Sequence, residues 1–372
     1  MKLITTTTFG IEKALKNELK GLGYHDLKVL DGRIYFDGEE KDAARCCINL
    51  RTADRIFIKL KEFKAETFED LFQGVKEFPF GDLISIDGQI IVNSKSKKSK
   101  LFSISDIQSI SKKAIIESLK RKYKVEWFKE TGPAFRFEVN LNDDMAEINL
   151  DITGEALHKR GYRENAGAAP LKETLAAALI LLSGFNGDRA FSDPFCGSGT
   201  IPIEAAMIAK NIPAGLNRSF LAETNGLIRK DIWETERETG KSKINDKDIK
   251  ILASDIDGNI LRTARENASI AKVDDFISFQ KLDFKEFSSR KKYGIMVSNP
   301  PYGERIGEKA EVQEIYKDLG KLYKNLPEWS FYILTSNLIF ERLFGRKADK
   351  NRKLYNGSML CYLYQYINNP KE

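Results

Sequence analysis

Residues 298–307, SNPPYGERIG, place an amide side chain, two prolines and an aromatic ring directly after the apolar run YGIMV. Pro300 and Pro301 have a fixed φ and no backbone N–H, so they end a strand and hold the chain rigid. Most dipeptides of this kind mark only a strand end followed by a turn. The alternative is a stiff ledge on which Asn299, a backbone carbonyl and Tyr302 contact a planar ligand.

A glycine-containing loop follows an earlier strand-like run, in the sequence DPFCGSGT that begins at Asp193. Gly197 and Gly199 let the backbone approach a ligand closely, and the helix that begins near Thr200 favours an acidic group at its N-terminus. Pro202 stands where the nicotinamide fingerprint needs a glycine, and no G-K-[ST] follows. The loop is therefore neither that fingerprint nor a phosphate-binding P-loop.

Acidic residues end two further strand-like runs. Asp255, in SDID, can accept hydrogen bonds from both hydroxyls of a ribose, whereas Asp257 is expected to cap the helix that follows. Asp283, in LDF, can accept a hydrogen bond from an adenine amino group, with the ring of Phe284 on the face of the base. Taken alone, LDF is a weak signal.

The elements that position these residues begin after Arg163, where helical patterns alternate with strand-like runs. In chain order these runs are RAFSDPF, IKILASDID, FISFQKLD, YGIMVSNPP, SFYILTS and MLCYLYQYI. The alternation predicts a largely parallel sheet with helices on both faces. Because ligands bind beyond the carboxyl ends of such strands, the four motifs should lie near one another. The polar insertion at about 211–250 is expected to contain a helix. Its role cannot be read from the sequence, and a surface excursion is the favoured interpretation.

Two smaller α/β regions precede this sheet. The first sixty residues follow a βαββαβ-like pattern with a turn at Asp31-Gly32, which is typical of a ferredoxin-like unit. The second region, from about Thr67 to Arg163, combines helical patterns with three strand-like runs. Neither region contains a catalytic group of residues, and both histidines, His25 and His158, are expected to be surface or structural residues.

Composition narrows the class of protein. The four cysteines of the 372-residue chain have neither metal-ligand spacing nor a disulfide framework, so reduced thiols are expected. Cys196 is expected to be a packing residue, because no activating base accompanies it. The N-terminus is too polar for a signal segment, and no run approaches the ~20 apolar residues of a membrane helix. We expect a soluble cytoplasmic protein with no metal.

The net charge of +6 is unevenly distributed along the chain. The segment from Lys95 to Lys124 contains ten basic residues and two acidic ones. Such a charge run is often only a solvated face. The alternative is a surface that binds a polyanion and releases counterions from each phosphate that it neutralises.

The order DPFCGSGT, SDID, LDF, NPPYGER resembles the class I S-adenosylmethionine-dependent methyltransferases that methylate amino groups. Upstream, LDITGEALHKRGYR followed by APLKETLAAALI is similar to the THUMP-containing RNA methyltransferases, and so is GLNRSF within the insertion. The resemblance covers essentially the whole chain. It is strongest to the bacterial branch that methylates the N2 amine of guanine in large-subunit (23S) ribosomal RNA.

This resemblance implies an α/β protein of three domains with S-adenosylmethionine as its cofactor. Residues 1–64 would form an N-terminal ferredoxin-like domain, 65–163 a THUMP RNA-binding domain, and 164–372 a Rossmann-like class I methyltransferase domain. The implied cofactor-binding residues are Asp193, Pro194, Phe195, Gly197, Gly199, Thr200, Asp255, Ile256, Asp283, Phe284 and Asn299. Lys172 and Glu173, in the APLKETLAAALI helix, would lie near the methionine end of the cofactor, and Glu204 would either touch it or favour the helix N-terminus.

The implied catalytic residues form the ledge: Asn299, Pro300, Pro301 and Tyr302. Asn299 and the Pro300 carbonyl would each accept a hydrogen bond from the amine, and Tyr302 would stack on the base. The basic segment would hold the RNA backbone through Lys95, Lys97, Lys98, Lys100, Arg121 and Lys122.

The sequence leaves several classes of substrate possible. Ribosomal RNA is favoured, and a transfer RNA guanine is the first alternative. A DNA or protein-glutamine amino-methyltransferase is a second. A third is an RNA-binding ribosome assembly factor with little or no turnover, which the intact Asp193, Gly197, Gly199, Asp255 and Asn299 disfavour.

Overall fold

The computed structural model describes residues 1–163, 171–303 and 308–368. The start of APLKETLAAALI and the final ERIG of the SNPPYGERIG stretch lie outside the described residues. The structure contains two seven-stranded sheets, one from each half of the chain. Helices pack on both sheets. The site described below lies at the carboxyl ends of four strands of the second sheet.

The N-terminal half has the element order that the sequence predicts. Its elements are β1 (Lys2–Thr6), α1 (Glu12–Gly21), β2 (Lys28–Leu30), β3 (Arg33–Asp37), α2 (Glu40–Asn49), β4 (Arg55–Lys64), α3 (Phe68–Lys76), β5 (Gln89–Lys97), α4 (Ile104–Tyr123), β6 (Ala134–Asn142) and β7 (Met145–Asp151). The first six confirm the βαββαβ ferredoxin-like unit. Gly32 adopts φ +68° in the predicted turn between β2 and β3, a conformation that glycine tolerates without strain.

The two small α/β regions share a single sheet, which local sequence patterns do not reveal. Its strand order is β2-β3-β1-β4-β7-β6-β5, and antiparallel pairing of β4 with β7 joins the regions. Alternate side chains on the strands are apolar and pack against the helices. The other face is polar and carries ion pairs, such as those of Arg33 with Glu138 and Glu147. The predicted boundary at 64/65 therefore falls at the end of a strand within one continuous sheet.

The C-terminal half confirms the Rossmann-like class I architecture. Its elements are α5 (Glu173–Ser183), β8 (Phe191–Asp193), α6 (Thr200–Ala209), α7 (Leu221–Thr224), α8 (Lys230–Ser242), β9 (Ile251–Asp255), α9 (Gly258–Ile270), β10 (Ile277–Lys281), β11 (Ile295–Ser298), α10 (Glu308–Asn325), β12 (Ser330–Thr335), α11 (Phe340–Phe344), β13 (Lys350–Asn356) and β14 (Met359–Tyr366). The strand order is β10-β9-β8-β11-β12-β14-β13. The first five strands in this order are parallel, and β14 is antiparallel to both of its neighbours.

The expectation that the insertion at 211–250 is a surface excursion is wrong. Its helix α8 packs against α2 of the ferredoxin-like unit. Trp233 of α8 is fully buried there and stacks on Phe220, with ring centroids 5.1 Å apart. Arg45 of α2 donates hydrogen bonds of 3.0 and 2.9 Å to the two carboxylate oxygens of Glu236. The insertion thus fastens the catalytic half to the N-terminal half.

A buried polar seam makes a second connection between the two halves. Arg160, in the segment that leaves the first sheet, lies 3.2 Å from the carboxylate of Glu204 on α6, and both side chains are almost fully buried. Arg51 donates a 2.7 Å hydrogen bond to the Ile212 carbonyl. Removing one member of such a buried pair leaves an unpaired charge, which is costly. The seam therefore holds the relative position of the two sheets.

A single buried carboxylate links the ends of β8 and β11. Asp193 is 1% exposed and accepts hydrogen bonds from the Ser298 hydroxyl, at 2.7 Å, and from the Phe195 backbone N–H, at 3.1 Å. Its second oxygen, Oδ2, has no hydrogen-bond partner among the described residues. Burial raises the pKa of Asp193 to about 7, although both hydrogen bonds oppose that shift.

We expect Trp233→Ala to lower the free energy of unfolding by about 3–5 kcal/mol, because it opens a cavity in a fully buried contact. Urea-induced unfolding measures the change. Trp127→Ala is the matched control, because Trp127 is 83% exposed and its loss should change little. Equal effects of the two substitutions would contradict the structural role given to the insertion.

Asp193→Asn should change how stability depends on pH. Between the ordinary pKa of 3.8 and about 7, folded Asp193 keeps a proton that the unfolded chain has released, so its contribution to stability falls as pH rises. Asparagine removes this effect and can still accept both hydrogen bonds. The unfolding free energy of the variant, relative to wild type, should therefore rise from pH 4 to pH 7, by at most about 4 kcal/mol. A constant difference across this range would contradict the assignment.

Candidate active site

The carboxyl ends of β8, β9, β10 and β11 open into one cavity of about 1120 Å³. Every ledge residue and most of the predicted cofactor-binding residues lie on its wall. The predicted residues found there are Pro194, Phe195, Gly197, Asp255, Ile256, Asp283, Phe284, Asn299, Pro300, Pro301 and Tyr302. The sheet thus brings together side chains from four strand ends, at Asp193, Asp255, Lys281 and Ser298, that are distributed over more than a hundred residues of sequence.

Three predicted cofactor-binding residues, Asp193, Gly199 and Thr200, are absent from the wall of this cavity. Asp193 lies beneath it, as described above. Gly199 has φ +88°, and a Cβ at this position would lie 3.2 Å from that of Ala264, so glycine allows the loop to pack closely on α9. Thr200 is buried and accepts a 3.3 Å hydrogen bond from Arg163. These residues shape the loop from behind.

The glycine loop and the end of β9 are joined by hydrogen bonds. The backbone N–H of Gly197 donates to Asp255 Oδ2 at 3.0 Å, and that of Asp257 donates to Oδ1 at 3.0 Å. Asp257 in turn accepts a 2.8 Å hydrogen bond from the Asn259 N–H, which confirms that it caps α9. The Asp255 carboxylate is thereby fixed at the cavity wall.

An apolar slot lies beside Asp255. The rings of Phe195 and Phe284 are 4.8 Å apart, and Ile256 is 68% exposed, which is unusual for a large apolar side chain. The Asp283 carboxylate also lines the cavity and accepts a 3.0 Å hydrogen bond from the Lys285 N–H. Apolar surfaces that flank two carboxylates fit an adenosine group, whose base is flat and whose hydroxyls and amine donate hydrogen bonds.

Two tyrosines hold the ledge. The Tyr302 hydroxyl donates to the Asn299 side-chain oxygen, and the Tyr316 hydroxyl donates to the Pro301 carbonyl at 2.8 Å. Within the described part of the chain, the Pro300 carbonyl accepts no hydrogen bond. Burial raises the pKa of Tyr302, so its hydroxyl stays protonated. Among the described residues, the ledge therefore presents one acceptor without a donor beside a second acceptor that a tyrosine hydroxyl contacts.

Sequence reasoning missed two parts of the wall. One is the turn between β13 and β14, which contributes Asn356, Gly357 and Met359. The dipeptide Gly357-Ser358, a two-residue loop with glycine first, is a hairpin signal that could have revealed it. The other is an acidic face of α10, with Glu311, Glu314 and Asp318. No motif marks these helical carboxylates.

Glu173 was expected near the cofactor, and contact with the cofactor was one of two alternatives for Glu204. Both side chains belong instead to the buried seam. Glu173 forms a 2.6 Å ion pair with Arg163, and Glu204 accepts a 3.1 Å hydrogen bond from the Tyr162 hydroxyl in addition to its pairing with Arg160. Lys172, one residue before Glu173, does line the cavity. Cys196 is buried, and burial raises its thiol pKa, in keeping with a packing role.

The structure divides the six basic residues that were predicted to bind RNA. Lys95 and Lys97, at the end of β5, line a second cavity of about 490 Å³, and Lys98 and Lys100 follow in the adjoining turn. Arg121 and Lys122 lie near the other end of α4, a helix of 20 residues and therefore about 30 Å long. The six residues do not form one continuous patch.

Two kinds of feature are absent from the described ranges. None of the helices there combines the length and the apolar character needed to cross a bilayer. In the same part of the chain, no three potential ligands among histidine, cysteine, aspartate and glutamate come together as a metal site would require.

Comparison with known proteins agrees with this geometry. Residues 160–365 match a family model described as RMKL-like, methyltransferase domain. Residues 2–57 match one described as RlmL ferredoxin-like domain, and residues 65–151 match the THUMP domain.

Two curated relatives and one solved structure are similar over nearly the whole chain. A protein of Bacillus subtilis (strain 168) named as an RNA methyltransferase, YpsC, is 46% identical over 98% of this chain and 95% of its own length. The ribosomal RNA large subunit methyltransferase K/L of Syntrophotalea carbinolica is 31% identical over 98% of this chain but only 53% of its own length. SMU.472, described as a methyltransferase and solved as a complex with SAH, is 40% identical, with a TM-score of 0.94 over 100% of this chain and 99% of its own.

The family match and the similarity to YpsC extend over the strand ends and the ledge that form the large cavity. The apolar rings and the two carboxylates around Asp255 suit the adenosine group of S-adenosylmethionine, the cofactor of class I methyltransferases. The chain therefore belongs to the RMKL-like methyltransferases that carry a ferredoxin-like and a THUMP domain ahead of the catalytic domain, and it uses S-adenosylmethionine.

Proposed function

We propose that the protein methylates the exocyclic N2 amine of a guanine in large-subunit ribosomal RNA. The observation that carries this proposal is the pair of acceptors on the ledge, Asn299 Oδ1 and the Pro300 carbonyl, at the wall of the cofactor cavity. An amine with two N–H groups can satisfy both acceptors at once. The THUMP domain and the name of the YpsC relative support RNA as the substrate.

The names of the K/L relatives support ribosomal RNA as the RNA class. The chain spans about half the length of these relatives, with 53% and 50% of their residues covered. Their complete activity therefore does not transfer to this chain, and the choice of ribosomal over transfer RNA is part of the proposal.

The ledge addresses a specific chemical difficulty. The lone pair of a purine amine is delocalised into the ring, so the nitrogen is a poor nucleophile. Hydrogen bonds from the amine to Asn299 and the Pro300 carbonyl would orient the lone pair and stabilise positive charge as it develops on nitrogen. When bound, the cofactor would supply an electrophilic methyl group and leave as a neutral thioether, and the methylated nitrogen would release one of its two protons to water. The protein's main contribution is to align the two substrates in line.

We assign two roles to Tyr302. Its hydroxyl holds the Asn299 amide in place in the absence of substrate, and its ring lines the cavity where the base would lie. Arrival of the amine replaces a hydroxyl donor with an N–H donor, so Asn299 is never left unsatisfied. The base itself must leave any stack to reach the ledge, either by flipping or from unpaired RNA.

The proposal is tested by incubating RNA from cells that lack the gene with the purified protein and methyl-labelled S-adenosylmethionine. The RNA is separated by size, and the labelled nucleoside is identified by mass spectrometry. N2-methylguanosine in large-subunit RNA is the expected result. The same nucleoside in transfer RNA would replace the substrate but keep the chemistry. No label in any fraction or on partly assembled ribosomal particles, with cofactor binding intact, would favour an RNA-binding role.

Asn299→Ala should reduce kcat by about 10²–10³-fold, because it removes a hydrogen bond that strengthens in the transition state. The unfolding midpoint should change little. Single-turnover methyl transfer at saturating cofactor and urea-induced unfolding measure the two effects separately.

Tyr302→Phe is the companion variant, since it removes the hydroxyl but keeps the ring and the Asn299 acceptor. Its rate should stay within about tenfold of wild type, because the hydroxyl contacts Asn299 only until the amine arrives. Asn351→Ala, on the exposed surface of β13, controls for general effects of the substitution. An Asn299→Ala enzyme within a few-fold of wild type would refute the role of the ledge.

A further inference from the structure

A second cavity, of about 490 Å³, lies where the three parts of the chain meet. The ferredoxin-like unit contributes Arg33 and Arg55, the end of β5 contributes Lys95 and Lys97, and the methyltransferase half contributes Lys172. We call it the junction pocket. It lies against the polar face of the first sheet, on which Arg33 and Lys95 both contact Glu138.

Most of the basic groups in the junction pocket are already paired. Arg33 contacts Glu138 and Glu147, Arg55 lies 2.6 Å from Asp151, and Lys95 lies 2.8 Å from Glu138. For Lys97 and Lys172, by contrast, no ion pair is found within the described ranges. These two ammonium groups are therefore the positive charges available to a ligand.

The remaining titratable groups of the junction pocket do not alter this conclusion. Burial, reinforced by the nearby Lys172, lowers the pKa of His158 to about 4, so this side chain is neutral at pH 7. Asp54 accepts hydrogen bonds from the hydroxyls of Thr174, at 3.3 Å, and Thr8, at 3.4 Å, and it also attracts Lys172, which lies beyond ion-pair distance. Asp31 lies exposed in the turn between β2 and β3. An anion would therefore bind to the two lysines rather than at the carboxylates.

Lys172 lines both the junction pocket and the cofactor cavity, so a single side chain connects the two spaces. Negatively charged side chains lie on α10, where Glu311, Glu314 and Asp318 face the cofactor cavity. A strand of phosphates that leaves the cavity past α10 would meet carboxylates, two of which pair with lysines of the same helix, whereas one that leaves past Lys172 would meet an ammonium group with no ion pair among the described residues. The charges of the cavity wall thus favour the exit past Lys172 for a polyanion.

We propose that the junction pocket binds a backbone phosphate of the substrate RNA close to the target nucleotide, held between Lys97 and Lys172. The inference rests on the proposed function, because it places the target base on the ledge and its flanking strand in the junction pocket. Phosphate contacts fix position without reading sequence, so the junction pocket would set how the strand enters the active site.

The proposal gives Lys97 a role in phosphate binding that the other predicted basic residues do not share. Lys98 follows it directly and is exposed, but does not line the junction pocket. Lys100 pairs with Glu66, and Lys122 with Asp82, so both already have a carboxylate partner. Among the six basic residues predicted from sequence, Lys97 is thus the one expected to make a specific phosphate contact.

The test compares Lys97→Gln with Lys98→Gln. Both variants remove one exposed charge from adjacent positions, so neither should unfold the protein. The probe is a fluorescently labelled single-stranded RNA of mixed sequence, titrated by anisotropy at several salt concentrations. Loss of one phosphate contact in Lys97→Gln should lower the slope of log K against log salt by about 0.7, whereas Lys98→Gln should leave it unchanged. Equal slopes for the two variants would overturn the proposal.

Methyl transfer separates this outcome from failure of the proposed function. With wild-type protein active on ribosomal RNA, Lys97→Gln should raise the KM for RNA several-fold and leave kcat and cofactor affinity unchanged. An active wild-type enzyme whose KM is insensitive to Lys97→Gln would refute the junction pocket alone. A wild-type enzyme that binds cofactor but methylates no RNA would refute the proposed function, and the salt slopes would still decide whether the junction pocket binds phosphate.

Discussion

The site depends above all on one buried carboxylate. Asp193 accepts hydrogen bonds from Phe195, at the start of the glycine loop, and from Ser298, directly before the ledge. It therefore fixes the distance between the loop that flanks the cofactor and the ledge that is proposed to hold the acceptor amine. The arrangement has an energetic cost, because the carboxyl group is buried and burial raises its pKa. Methyl transfer by alignment alone requires such a fixed distance, because small displacements reduce the rate strongly.

The same requirement explains the connections between the two halves of the chain. An RNA held by the N-terminal sheet can present a base to the ledge only if the two sheets keep their relative position. The insertion around Trp233 and the Arg160–Glu204 pair provide this constraint from two sides. GLNRSF, within the insertion, participates directly: Arg218 donates to carbonyls of residues 155, 156 and 159, and Phe220 stacks on Trp233.

Local sequence patterns predicted the elements and the strand-end motifs because each depends on near neighbours in the chain. The turn at Asp31-Gly32, the cap at Asp257 and the alternation of strands and helices are of this kind. The pairing of β4 with β7, the destination of α8 and the Arg160–Glu204 pair could not be predicted, because they depend on contacts between distant segments. The sequence also could not show which residues face the cavity. Gly197 and Asp255 lie on its wall, whereas Asp193 and Thr200 lie behind it.

The proposed chemistry requires Asn299 and the Pro300 carbonyl to hold the acceptor amine. The most direct measurement is a crystal structure of the protein with S-adenosylhomocysteine and a short RNA that contains the target guanosine. The account predicts that the N2 amine lies within hydrogen-bond distance of both acceptors and that the Tyr302 hydroxyl has left Asn299. An amine bound elsewhere in the cavity, with Tyr302 still donating to Asn299, would contradict it.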